Sequence, residues 1–215
     1  VLGLLAGLAA VLFMLLFDHT GRLFARFDLP EWIKPAVGGL LVGGMALCLP
    51  HVFGVGYASI NGALWNDFGL AMLVLILLAK MAATALSLGS GGSGGIFAPS
   101  LFMGATLGAA FGRIVHGIYP EWTADPGAYA RVGMGAVVSA TTHGPLTAIL
   151  MLFEMTGDYK IILPLMITCI ISSLVVQKLL KESIYTLKLI RRGVDIREGR
   201  EVNILKSIKV GDVMN

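Results

Sequence analysis

The residues most suggestive of chemistry are seven in a row, Gly89-Ser90-Gly91-Gly92-Ser93-Gly94-Gly95. Several motifs overlap there, and context removes most of them. Gly89-x-Gly91-x-x-Gly94 has dinucleotide-binding spacing, but an apolar helix-length run precedes it in place of a strand. No acid follows at the expected offset of roughly 20 residues. A phosphate-binding P-loop needs Lys after its last Gly, where this chain has Ile96. Gly91-x-Ser93-x-Gly95 has the spacing of a hydrolase nucleophile elbow. His19, His51, His116 and His143 lack metal-ligand spacing. Cys48 and Cys169 lie in separate apolar stretches and read as small buried side chains, neither a disulfide nor a metal pair.

Two readings of the glycine-rich stretch carry chemistry. Gly91-Gly92-Ser93-Gly94 resembles the serine motif of rhomboid intramembrane proteases, with Ser93 as nucleophile and His143 as base. The other is anion binding. A helix starting at Ile96 presents free N–H groups and about half a positive charge from its dipole. Upstream glycine lets backbone approach an ion closely. Dehydrating an anion costs on the order of tens of kcal/mol in a low-dielectric site. Several donors, each contributing about 1.5–3 kcal/mol to a charged partner, must therefore act together. The lack of Lys or Arg in the stretch suits conduction, which needs binding weak enough for release. A plain turn between two spans accounts for the same spacing.

The surrounding elements must place this stretch in lipid. Of the 215 residues, 56% are hydrophobic and only 13% charged, and mean hydropathy is +0.83. A soluble chain of this size would leave a largely apolar exterior facing water, since it buries only about 70% of its unfolded surface. Uncharged runs cover 1–17, 35–66, 68–79, 81–112, 132–153 and 161–177. A spanning helix needs about 20 apolar residues, so several runs qualify and a single secretory signal does not explain them. From Lys181 onward there are eight Lys or Arg and five Asp or Glu. The positive-inside rule puts that tail in the cytoplasm. It lacks interleaved aromatics and follows a span directly, which argues against a nucleic-acid partner.

The pattern predicts an all-α integral membrane fold of broken, tilted helices. Helices are expected over 1–17, ended by Asp18-His19-Thr20-Gly21, then over 35–49, from about Ser59, and over 68–88. After the glycine break they resume over 96–117, with Pro99 harmless in the first turn. Further helices cover 127–141, 146–155, 161–180 and 183–192, with a break at His143-Gly144-Pro145. Gly38, Gly39, Gly43 and Gly44 should let their helix approach others closely. Trp32 suits an interfacial anchor. Broken backbone at membrane depth is tolerated only where protein buries it or a cavity solvates it. The chain starts at Val1 inside an apolar run and stops in a strand-like one, so it reads as part of a longer protein.

Ser90-Gly91-Gly92-Ser93-Gly94-Gly95-Ile96-Phe97-Ala98-Pro99 resembles the G-x-F-x-P signature of the CLC chloride channels and chloride/proton antiporters. Gly144-Pro145-Leu146-Thr147 with Phe153-Glu154-Met155-Thr156 is similar to the family's P-L-T…E-M-T segment. Ile162-Leu163-Pro164 and Ser183-Ile184-Tyr185 follow in the family's order, and 207–215 is similar to the start of a CBS domain. The resemblance implies chloride as the bound substrate, with no further cofactor or enzymatic activity. The amides of Ile96 and Phe97 and the hydroxyl of Tyr185 would hold it, with Gly94, Gly95, Ala98 and Pro99 completing the selectivity motif.

The same resemblance implies the C-terminal inverted-repeat half of the fold over 1–192, a partial transmembrane domain holding the last helix of the first repeat plus the second repeat. A cytoplasmic linker over 193–206 would lead to the truncated CBS start. It implies a homodimer in the cell membrane, with the family's serine-ligand and gating-glutamate signatures lying upstream. Lys80, within an apolar run, is expected to snorkel or pair structurally, Glu154 to form a structural hydrogen bond, and His143 to cap a helix.

Overall fold

A computed structural model describes residues 1–27, 30–180 and 182–186, which fall into two units, Val1–Lys181 and Glu182–Asn215. The described residues are helical, with no strand among them. The first unit contains α1 (Leu2–Arg26), α2 (Ile33–Cys48), α3 (Tyr57–Leu64), α4 (Leu70–Gly89), α5 (Phe97–Ile118), α6 (Pro126–Thr142), α7 (Pro145–Thr156) and α8 (Ile162–Leu179). Short 3-10 turns at Pro50–Val52, Pro120–Trp122 and Tyr159–Ile161 join some of them. In the second unit, a helical turn at 184–186 is closed by Ser183 and Thr186, whose hydroxyls lie 3.2 Å apart. The expected helix to 192, the linker 193–206 and the segment 207–215 otherwise lie outside the described residues.

α1, α4 and α5 are each long and apolar enough to cross a membrane, and α8 lies within a fourth such stretch. α4, with 20 residues, is about 30 Å long, the thickness of a hydrocarbon core. α7 has 12 residues and would reach only about 18 Å. It starts at the His143-Gly144-Pro145 break, where His143 caps α6 in the left-handed region at φ 57°.

The polar cluster at Asp18 does not end α1. Asp18 is buried and its Oδ2 meets Arg22 Nη2 one turn later at 3.0 Å. The Thr20 hydroxyl donates to the Leu16 carbonyl at 2.7 Å. With these bonds made inside the helix, α1 runs on to Arg26.

The glycines of α2 also differ from expectation. Gly38 alone packs against a neighbour, Ser90, while Gly39, Gly43 and Gly44 face open space within this chain. Close approach occurs instead between α5 and α6. Gly104, Gly108 and Gly112 form a seam at four-residue spacing. A methyl on Gly108 would strike the Tyr129 carbonyl and lie 2.8 Å from Ala130 Cα. One on Gly133 would strike the Gly104 carbonyl. Backbone therefore rests on backbone, the arrangement that small residues permit between membrane helices. Cys48, expected to be buried, is exposed at the end of α2, whereas Cys169 is buried in the core.

α6 is buried along nearly its whole length and holds the unit together. On its far side Ser139 Oγ donates to the Cys169 carbonyl at 2.9 Å, and Ser172 Oγ of α8 donates to the Ala136 carbonyl at 2.8 Å. The hydroxyls thus pair with facing backbone where no water is at hand. Replacing Gly108 by Val should separate α5 from α6. Overpacking of this kind costs about 1–3 kcal/mol or more, read as a melting temperature of the detergent-solubilised protein lowered by several degrees. An unchanged melting temperature would contradict the seam.

Candidate functional site

The glycine-rich stretch joins α4 to α5, and its two halves differ. The first half closes α4. Ser90 caps the helix, Gly91 lies at φ +95°, Gly91 N–H donates to the Leu88 carbonyl at 3.3 Å, and Gly92 N–H donates to the Ser87 carbonyl at 3.0 Å. This pair of bonds is a Schellman closure, which needs a residue in the left-handed region and so favours glycine at 91. Carbonyls at the end of α4 thus find partners within the chain.

The second half is open. Ser93, Gly94 and Gly95 have no regular structure and are exposed. They lead to Ile96, whose side of the break receives no side-chain cap. The Ile96 carbonyl accepts from Ser100 N–H at 3.1 Å and from Ser100 Oγ at 2.9 Å. Helix geometry gives the amides of Phe97 and Ala98 no carbonyl within α5, and Pro99 has no N–H to satisfy. The Phe97 ring packs against the hydrophobic core. Its side chain thereby fixes the residue, leaving the backbone to meet a ligand. The 22-residue α5 adds its positive dipole end at the same place.

The break opens on a cavity of about 250 Å³ lined on this side by Ser93, Gly94, Gly95 and Pro99. Lys80 and Thr84 of α4 contribute to its opposite wall. Lys80 is nearly fully buried and donates to the carbonyls of Val52, at 2.9 Å, and Gly54, at 2.7 Å. Its ammonium also lies 4.9 Å from the centre of the Phe102 ring. The charge is therefore used structurally, as expected, binding α4 to α5 and to the turn before α3.

A second polar contact positions α5. Thr141 Oγ1, in the last turn of α6, donates to the Val137 carbonyl at 2.9 Å and lies 3.3 Å from Ser100 Oγ. Both residues are fully buried. The sequence reading missed this pair because 41 positions separate them. The only local signal was a polar residue directly after Pro99 and another just before the His143 break.

Gly94, Gly95, Ile96, Phe97, Ala98 and Pro99 thus run consecutively into the start of α5, and of these Gly94, Gly95 and Pro99 line the cavity. Tyr185 belongs to the second unit, and its position relative to α5 is not described. Ser93 and His143 occupy different helix breaks, and no hydrogen bond joins them among the described residues. Glu154 is exposed in the last turn of α7 and makes no hydrogen bond or ion pair among the described residues, contrary to the expected structural bond.

Long apolar helices and a span interrupted by glycine are the features of a helical membrane protein. Sequence comparison agrees. The family described as voltage gated chloride channel matches residues 1–177. A ClcB-like protein of Ralstonia nicotianae is 43% identical over 194 residues, 90% of this chain and 45% of that protein. The H(+)/Cl(-) exchange transporter ClcA of Yersinia pestis is 38% identical, covering 88% of this chain and 41% of its own length. The crystal structure of a slow cyanobacterial Cl-/H+ antiporter superposes with a TM-score of 0.76 at 32% identity. That match covers 93% of this chain and 47% of the antiporter.

This chain belongs to the voltage-gated chloride channel, or CLC, family. It spans less than half the length of these relatives. The family match removes the serine-protease reading of Ser93 and His143, for which no comparison gives support.

Lys80→Met would leave the Val52 and Gly54 carbonyls without their donor, at about 1–3 kcal/mol for the buried Val52 group. The complete protein should melt several degrees lower, with Lys80→Arg retaining most of the stability. Equal melting of Lys80→Met and the wild type would rule out the structural role.

Proposed function

We propose that this chain is part of a chloride transport protein and that the start of α5 holds the ion. The amides of Ile96 and Phe97 are the donors, Gly94 and Gly95 give the ion access, and Ala98 and Pro99 complete the turn. The carrying observation is that the uncapped first turn of α5 coincides with the G-x-F-x-P segment of a CLC family member. An anion bound there replaces lost water with several fixed dipoles, while the one cation lining the cavity among the described residues, Lys80, is bonded to the Val52 and Gly54 carbonyls. Two of the similar proteins are named as exchangers of chloride and protons, which favours coupled movement.

The Tyr185 hydroxyl is proposed as a further donor to the same ion. Proposed surroundings follow the same reasoning. The protein lies in the cell membrane, its basic tail faces the cytoplasm by the positive-inside rule, and a CBS domain begins near 207. Exposed Leu163, Ile167, Ile170 and Leu174 of α8 give an apolar surface suited to lipid or to a second copy in a homodimer. No cofactor is needed for this chemistry and no bond is made or broken.

In the complete protein, Tyr185→Phe should weaken chloride binding about tenfold, the loss of one charge-assisted hydrogen bond. Titration calorimetry reads this directly. Unchanged affinity would remove Tyr185 from the site.

A further inference from the structure

Two helices that contribute none of the proposed donors touch the closed half of the break. Gly38 of α2 lies against Ser90. A methyl there would meet Ser90 Oγ, lie 2.6 Å from Ser90 Cβ and 3.1 Å from the Leu86 carbonyl. Thr20 of α1 lies against Gly89. A methyl on Gly89 would be 2.8 Å from Thr20 Cγ2 and 2.9 Å from Thr20 Cβ. Gly38 is the one buried residue of α2, and Thr20 and Ser90 are both buried.

These contacts bear on groups that cannot shift independently. Ser90 Oγ donates to the Ser87 carbonyl at 3.0 Å, the same oxygen that accepts from Gly92 N–H in the closure of α4. Thr20 Oγ1 is held by the Leu16 carbonyl, which fixes the rotamer that turns its methyl to Gly89. Only residues 93–95 separate the closure from Ile96. At the other end α5 is fixed by its seam with α6 and by Ser100 and Thr141. The aim of the amides from Gly94 to Phe97 therefore depends on where α1 and α2 hold residues 89–92.

We infer that Gly38 and Thr20 are positioning residues for the anion site, acting through Ser90 and Gly89 on the direction of its amides. The inference rests on the proposed chloride site. Hydrogen bonds weaken steeply as donor angles depart from linearity, so a small displacement at Ser90 lowers anion affinity and blurs discrimination without removing any donor.

The test is a double-mutant cycle in the complete protein. Chloride affinity is read by calorimetry and chloride-over-nitrate preference by liposome flux. G38A should weaken chloride binding about tenfold, about 1.4 kcal/mol, and reduce the preference. In an S90G background, where the struck side chain is gone, the effect of G38A should fall below about twofold. T20S, which removes the methyl resting on Gly89 and keeps the hydroxyl, should weaken binding several-fold. Wild-type affinity and preference in folded G38A, or an undiminished penalty in S90G, would overturn the inference. If G38A yields no folded protein, wild-type binding by T20S would overturn it instead.

The Phe97 amide resonance of wild-type protein separates the two levels of the argument. No shift on chloride titration would overturn the anion site and this inference together. A shift accompanied by wild-type binding in the variants would overturn the positioning role alone.

Discussion

A backbone amide at membrane depth has no water to bond, and one left without a carbonyl costs several kcal/mol. The break between α4 and α5 meets that constraint in two opposite ways. The carbonyls ending α4 are satisfied internally by the closure at Gly91 and Gly92. The amides starting α5 are not, because Ile96 brings no capping side chain. An anion is the ligand that such a turn, at the positive end of a long helix, accommodates best. In the proposed site, the unmet bonding requirement of α5 would supply its affinity for the ion.

An unsatisfied turn can persist only if the rest of the fold holds it. The glycine seam of α5 against α6 brings backbones into contact and fixes where α5 lies against α6. Ser100 and Thr141 link the second turn of α5 to the end of α6. Lys80 joins α4 to the turn before α3 and to Phe102. In each case a polar or small residue in a greasy helix is used for placement. The cationic side chain nearest the cavity is occupied by carbonyls, consistent with a site built mainly from dipoles.

Much of this was legible in the sequence because glycine and proline act locally. The breaks at 89–96 and 143–145 stand where those residues stand, and the ends of α4, α5, α6 and α8 fall within two residues of expectation. The continuation of α1 was not legible, since it depends on Asp18 and Thr20 finding partners one turn away in a buried setting. Nor could composition say which glycines pack. Gly39, Gly43 and Gly44 of α2 are open while Gly104, Gly108 and Gly112 are closed, a difference set by which helix lies opposite. The partners of Lys80 lie 26 and 28 residues away, and only the folded chain brings them together. The motif residues of α5 were found from sequence; the contacts that orient them were not.

The central claim is that the N–H of Phe97 binds chloride. Replacing the amide between Ile96 and Phe97 by an ester in the complete protein removes that N–H and leaves every side chain in place. The account predicts that chloride affinity, measured by calorimetry, falls about tenfold or more, as expected for a lost donor to a charged partner. Unchanged affinity in the ester-containing protein would contradict it.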